Sequence, residues 1–219
     1  MGSMVRGGAF WCRVALLAGF AVASVSPAIA AGGSGEKHVI KQSWSFAGVF
    51  GQYDTAQLQR GLQVYREACG ICHSMELVAF RTLSAPSGPG MSEEAVKQIA
   101  SEYRITDISN ETGQPFERPA VPTDRFPGPY PNAIAAAAAN GGAYPPDFSL
   151  LAKARAEHRG FPGCVVDALA GYAENGPDYI YALLTGYEEV PEGVEPVPAK
   201  WYNPTFLAGD WIGMPPPLR

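Results

Sequence analysis

Three residues at a fixed spacing carry the chemistry: Cys69 and Cys72, three apart, and His73 directly after the second. Two thiols three apart on one helical turn can add to the two vinyl groups of one porphyrin. A histidine in the next position is then held beneath the iron as a proximal ligand. C-x-x-C-H is therefore read as the attachment site of one covalent haem c. A thioredoxin-like redox pair does not need the histidine. A zinc site needs a second Cys/His pair at metal-ligand spacing, and none is present.

A low-spin electron carrier needs a second axial ligand. Candidates are Met75, Met91, Met214, His38 and His158. Met75 lies too close to His73 to reach the opposite face of the haem. Met91 sits in a loop rich in Pro and Gly. Met214 is flanked by Gly213, which permits close backbone approach, and by Pro215, Pro216 and Pro217, which stiffen the loop. A thioether ligand favours Fe(II) and raises the potential. On residue types alone Met214 serves equally well as a core filler.

Several elements must position these groups. Asp54 and Gln57 are spaced as a capping box. Leu58, Leu62, Tyr65, Cys69 and Cys72 then fall on one helical face, so this helix is expected to run into the cysteines. Ser92 caps a second helix with Val96, Ile99, Ala100 and Tyr103 inward. Residues 105–131 hold six prolines and are read as a long loop that wraps something. Asn132 caps the alanine run Ala133 to Ala139, which Gly141 and Gly142 stop. A helix is expected from about Asp147 to Glu157, and another from near Pro177 to Gly186. Glu188, Glu189, Glu192 and Glu195 follow in an acidic loop. Pro and Gly make up about a fifth of the 219 residues, which fits short helices between long ordered loops.

Residues 1–30 read as a secretory signal. Arg6 and Arg13 precede an apolar stretch from Val14 to Val25, and Ala28-Ile29-Ala30 is a cleavage site. Residues 31–53 form an N-terminal arm with Trp44, Phe46 and Phe50. Residues 54–219 form the haem domain. The leader holds two of the sixteen Lys/Arg and no acidic residue, so the mature chain carries a net charge of −7. That charge argues against nucleic acid as a partner and suits a basic one. Cys12 leaves with the leader and Cys164 stands alone, so no intrachain disulfide is expected.

The sequence resembles the cytochrome c1 family, of alphaproteobacterial type. The resemblance rests on Arg60 to Tyr65 leading into C-x-x-C-H, on His73 to Arg81, and on Pro129 to Asn132. It continues through Asn140 to Asp147, Asp178 to Tyr187, Tyr202-Asn203-Pro204 and Ile212 to Pro217. It implies a mainly α, cytochrome-c-like helical haem domain with long Pro/Gly-rich loop insertions, and His73 and Met214 as the axial iron ligands. It also implies a respiratory-chain role within the bc1 complex, the ubiquinol–cytochrome c reductase. Electrons would pass from a Rieske iron–sulfur protein to a soluble basic cytochrome c, with cytochrome b as a further partner. The subunit itself would not be the quinol-oxidising site, and it would work at the periplasmic face of the inner membrane.

Two departures follow. Where the family has an arginine held to pair a haem propionate, this chain has Ala137, so Arg125, Tyr130 and Arg81 become the propionate candidates. The family also continues past the methionine loop into a membrane anchor, whereas this sequence stops at Arg219; the anchor is read as missing. The rival readings are a free periplasmic c-type carrier and a haem peroxidase or oxidase subunit.

Overall fold

The computed structural model describes residues 37, 39–156, 161–170 and 175–218, which belong to one unit, Ser34–Arg219. The secretory leader, His38 and His158 fall outside the described residues, as does the side chain of Cys164. Among the described residues six helices dominate: α1 (Thr55–Glu67), α2 (Glu93–Ser101), α3 (Ala133–Ala139), α4 (Leu151–Ala154), α5 (Gly163–Ala170) and α6 (Gly176–Thr185). Four short strands, β1 (Arg104–Ile108), β2 (Pro115–Pro119), β3 (Trp201–Tyr202) and β4 (Trp211–Ile212), form two antiparallel pairs. Among the described residues no helix is long and apolar enough to cross a membrane.

Helix starts follow the capping residues. Asp54 accepts from the Gln57 amide at 2.8 Å, Ser92 from Ala95 at 3.2 Å and Asn132 from Ala135 at 2.9 Å. Each side chain satisfies an amide that the first helical turn leaves without a partner. Gly141 and Gly142, with φ of 60° and 88°, end α3 in the left-handed region. Gly186 caps α6.

Three expectations are corrected. Helix α1 does not run into the cysteines: it ends at Glu67, Ala68 turns the chain, and Cys69–Ile71 form a separate 3-10 turn. A Cβ on Gly70 would stand 3.1 Å from the Tyr65 carbonyl, so the chain folds closely back over α1. The 105–131 loop contains most of a hairpin, since β1 pairs with β2 in the register Ile105 to Arg118 and Ile108 to Pro115. The helix expected from Asp147 to Glu157 shrinks to α4, because the Asp147 carboxylate is turned across to residues 74 and 76.

The core joins α1, α2 and the segment 78–83. Phe80 and Phe126 are the largest fully buried side chains, with ring centroids 4.2 Å apart. Backbone bonds from Phe80 to Asp124 and from Phe126 to Val78, both 3.0 Å, align the two segments and bring the rings together. Val96, Ile99 and Ala100 seal this cluster from α2. Tyr65 meets Phe126 edge-on at 6.0 Å and connects the core to the turn that carries the cysteines.

At the far side α4 packs on α6, where a Cβ on Gly176 would lie 1.8 Å from the Ala152 carbonyl oxygen. The described arm residues have no helix or strand. The Trp44 indole donates to the buried carboxylate of Asp178 at 2.7 Å, and the Gln42 amide donates to the same oxygen at 2.9 Å. Lys37 donates to the carbonyls of Phe206 and Gly209 and to Asp210.

Candidate haem-attachment site

The two cysteines sit on the turn that follows α1. The amides of Cys72 and His73 both bond the Cys69 carbonyl, at 3.1 and 2.8 Å, so one tight turn presents the two thiols and the imidazole together. Neither thiol is in a disulfide. Burial pushes the Cys69 thiol up from its ordinary pKa. A redox dithiol needs the opposite shift, toward the thiolate. Among the described residues no group of three or more His, Cys, Asp or Glu could hold a metal ion, so the pair lacks the further ligands of a zinc site.

His73 is 9% exposed. Burial lowers its pKa, and the bond to a backbone carbonyl opposes that shift without overcoming it. The neutral ring carries one proton, and Nδ1 lies 2.8 Å from the Pro146 carbonyl oxygen. A carbonyl only accepts, so Nδ1 holds the proton and Nε2 keeps its lone pair. That tautomer is the one a metal-bound imidazole requires. Phe148 lies against the ring at a centroid distance of 4.4 Å, and the Tyr65 hydroxyl donates to the His73 carbonyl at 3.1 Å.

The segment 146–149 grips 73–77 at several further points. Asp147 accepts from the Ser74 hydroxyl at 2.7 Å and from the Glu76 amide at 2.8 Å. The Ser149 hydroxyl accepts from the Leu77 amide at 3.0 Å, and the Phe148 amide donates to Ser74 at 2.8 Å. Burial alone would raise the Asp147 carboxyl, but the hydrogen bonds from Ser149, Glu76 and Ser74 outweigh it and bring the pKa down to about 2. Pro146, Asp147 and Phe148 are the functional residues that sequence reasoning overlooked. Their partners lie about 73 residues away in the chain, and no local pattern announces such a pairing.

A cavity of about 250 Å³ opens beside Cys72, bordered by Ser74, Glu76, Gly128, Tyr130 and Ala136. Of the propionate candidates, Tyr130 borders this cavity and its hydroxyl accepts from Asn140 at 3.2 Å. Arg81 and Arg125 are exposed and lie outside the cavity lining.

Met91 and Met75 pack against the hydrophobic core. Met214 is half-buried, and its carbonyl accepts from the Tyr187 hydroxyl at 3.0 Å. A Cβ on the adjacent Gly213 would stand 2.9 Å from the Ala143 Cβ. The methionine loop thus rests on the start of the segment whose Pro146 holds His73. Two thiols and an imidazole with a free Nε2 on one turn are the donor chemistry of a covalently attached haem.

Comparison with known proteins bears on the whole of this region. Residues 44–219 match the Cytochrome C1 family. The chain is 47% identical over 214 residues to a Cytochrome b/c1 of Bradyrhizobium diazoefficiens, covering 91% of this chain and 31% of that protein. It is 46% identical over 211 residues to the cytochrome c1 of Blastochloris viridis, covering 95% and 73% respectively. To the "Cytochrome c1-2, heme protein, mitochondrial" of Solanum tuberosum it is 44% identical over 176 residues, covering 80% and 59%. It therefore spans about a third of the first of these proteins and less than two thirds of the last. A family match that begins at Trp44 and takes in both the C-x-x-C-H turn and the methionine loop carries the conclusion: this chain belongs to the cytochrome c1 family.

Proposed function

We propose that this chain is an electron-transfer subunit of a cytochrome bc1 complex, carrying one covalent haem c. Bound there, the haem supplies a one-electron Fe(III)/Fe(II) couple. Cys69 and Cys72 would hold it by thioether bonds, and His73 Nε2 and the Met214 sulfur would ligate its iron, within a cytochrome-c-like helical domain with long Pro/Gly-rich insertions. Tyr130, Arg81 and Arg125 are the candidates for its propionates. The observation that carries the reading is the His73 tautomer: Nδ1 is engaged by Pro146 in a buried site, and Nε2 is left as a donor next to two thiols.

The protein's contribution is ligation, burial and docking. Phe148 and Tyr65 fix the imidazole, and the clamp from Asp147 keeps the turn from opening. Glu188, Glu189, Glu192 and Glu195 are all exposed on the segment between α6 and β3, a surface suited to a basic carrier. Electrons arrive from a Rieske iron–sulfur protein and leave to a soluble basic cytochrome c, with cytochrome b in the same assembly. The site of work is the periplasmic face of the inner membrane, and quinol oxidation happens elsewhere in the complex.

The test is purification from detergent-solubilised membranes of the native host. The reading expects a c-type haem that resists acid–organic extraction, co-purification with cytochrome b and a Rieske protein, and quinol-dependent reduction of the haem. A haem-bearing chain recovered alone from the soluble fraction would overturn the complex assignment. Rapid cyanide binding to the native ferric protein would point instead to an open iron position.

A further inference from the structure

We infer that Tyr187 is a positioning residue for the Met214 thioether, acting through its hydroxyl on the Met214 carbonyl. The inference rests on the reading of Met214 as an iron ligand and goes beyond it. The loop after β4 is short of its own means of support. Pro215, Pro216 and Pro217 have no N–H groups, so backbone donors cannot tie the stretch that follows the methionine. Gly213, before it, has no side chain, and the space a Cβ would take is already filled by Ala143. A donor must come from outside the loop to fix the peptide plane of Met214, and with it the direction in which the side chain leaves.

Tyr187 provides that donor from a rigid base. It is 6% exposed and follows the cap of α6 directly. A Cβ on Gly186 would lie 2.5 Å from the Ala182 carbonyl and 2.7 Å from the Thr205 hydroxyl, so the chain enters Tyr187 through a tightly packed turn. Asn203, fully buried, donates to Leu183 at 2.8 Å and joins the end of α6 to β3, while β3 pairs with the strand that leads into Gly213. The Met214 carbonyl oxygen can only accept, so at 3.0 Å the Tyr187 hydroxyl is the donor. The ring and the loop are thus fixed to the same frame, and the hydroxyl bridges them.

The test uses the full haem-loaded chain and imidazole as the probe. In ferric protein imidazole competes with the thioether for the iron, so its affinity reports how firmly the methionine is held. Tyr187→Phe keeps the ring and removes the bridge. We expect imidazole to bind about fivefold more tightly, the ratio that ~1 kcal/mol of lost hydrogen bonding represents. The near-infrared sulfur-to-iron band should weaken in step, while haem attachment is unchanged. If Tyr187→Phe lowers thermal stability but leaves both the band and the imidazole affinity as in wild type, Tyr187 is structural only and the inference fails. Should Tyr187→Phe not accumulate, a fluorotyrosine placed at 187 strengthens the donor; imidazole should then bind less tightly than to wild type, and equal or tighter binding overturns the inference. Met214→Leu run in parallel separates the two layers. Loss of the band there confirms the ligand, whatever Tyr187→Phe does, and its retention removes the ligand assignment itself.

Discussion

The two sides of the site are built to different standards. On the histidine side, segment 146–149 meets 73–77 through bonds at His73, Ser74, Glu76 and Leu77, with an aromatic ring laid against the imidazole. On the methionine side, the loop leaves the β3–β4 pair and is met by the Tyr187 hydroxyl and by the close seat of Gly213 on Ala143. The difference teaches where this fold places its rigidity. A ligand anchored by covalent attachment nearby is further immobilised by the protein. On the proposed ligation, Met214 would bind the iron from a loop that, among the described residues, is tied by the Tyr187 hydroxyl and the Gly213–Ala143 contact.

Four experiments break or sharpen that contrast. The largest effect is expected from Cys69→Ala combined with Cys72→Ala, which should abolish haem that survives acid–organic extraction, since thioether bonds do not dissociate. Next is Met214→Leu, which keeps volume and apolarity while removing the sulfur. Its potential should fall by at least ~100 mV, within the span that axial ligands command, and the near-infrared band should vanish. Redox titration and absorption spectra check both.

A third and smaller effect is expected at the clamp. Asp147 has a folded pKa of about 2, below the ordinary 3.8. Its contribution is therefore fully present above about pH 4 and is lost as the pH falls toward 2. Asp147→Asn should be destabilised by ~2 kcal/mol at neutral pH, from the loss of charge-assisted bonds. Denaturation midpoints followed from pH 6 to 2 should converge with wild type at the acid end, and parallel curves would show that the carboxylate does not stabilise the clamp. The smallest change is expected from Gly213→Ala. Its methyl would press on Ala143 at 2.9 Å, so the loop must shift by a few tenths of an ångström, visible as a weaker sulfur-to-iron band with haem attachment intact.

Much of the helical frame was legible because capping is local. Asp54, Ser92 and Asn132 each mark a start by accepting from an amide within a turn, and Gly186 stands where α6 ends. The apolar stripe misled at Cys69 because a face can continue in sequence after the helix has ended. The hairpin of β1 and β2 was hidden because Ile105 and Arg118 pair across a turn, and prolines at both ends of β2 read as loop. At the site, C-x-x-C-H was plain, since one cofactor requires that spacing. Asp147 was invisible because its partners, Ser74 and Glu76, are far away in the chain. Residue types left Met214 and Met91 both open as ligands, and only the resemblance to the cytochrome c1 family favoured Met214.

The attachment of the arm to Asp178 and to the 206–210 turn has a consequence for the order of assembly. Those bonds join residues 134 to 173 positions apart. Closing so long a loop in an unfolded chain costs about 4 kcal/mol in entropy. Hydrogen bonds to charged groups contribute about 1.5–3 kcal/mol each when buried, and the Lys37–Asp210 pair, being partly exposed, contributes less. We expect the arm's bonds to form after the core around Phe80 and Phe126 has brought the ends of the loop together, because that order spares them most of the closure cost. The arm is then the last piece to dock and the first to leave. Hydrogen exchange at the Gln42 amide should proceed through openings that leave the amide of Phe126 protected; exchange of both at one common rate would place the arm in the first stage of folding instead.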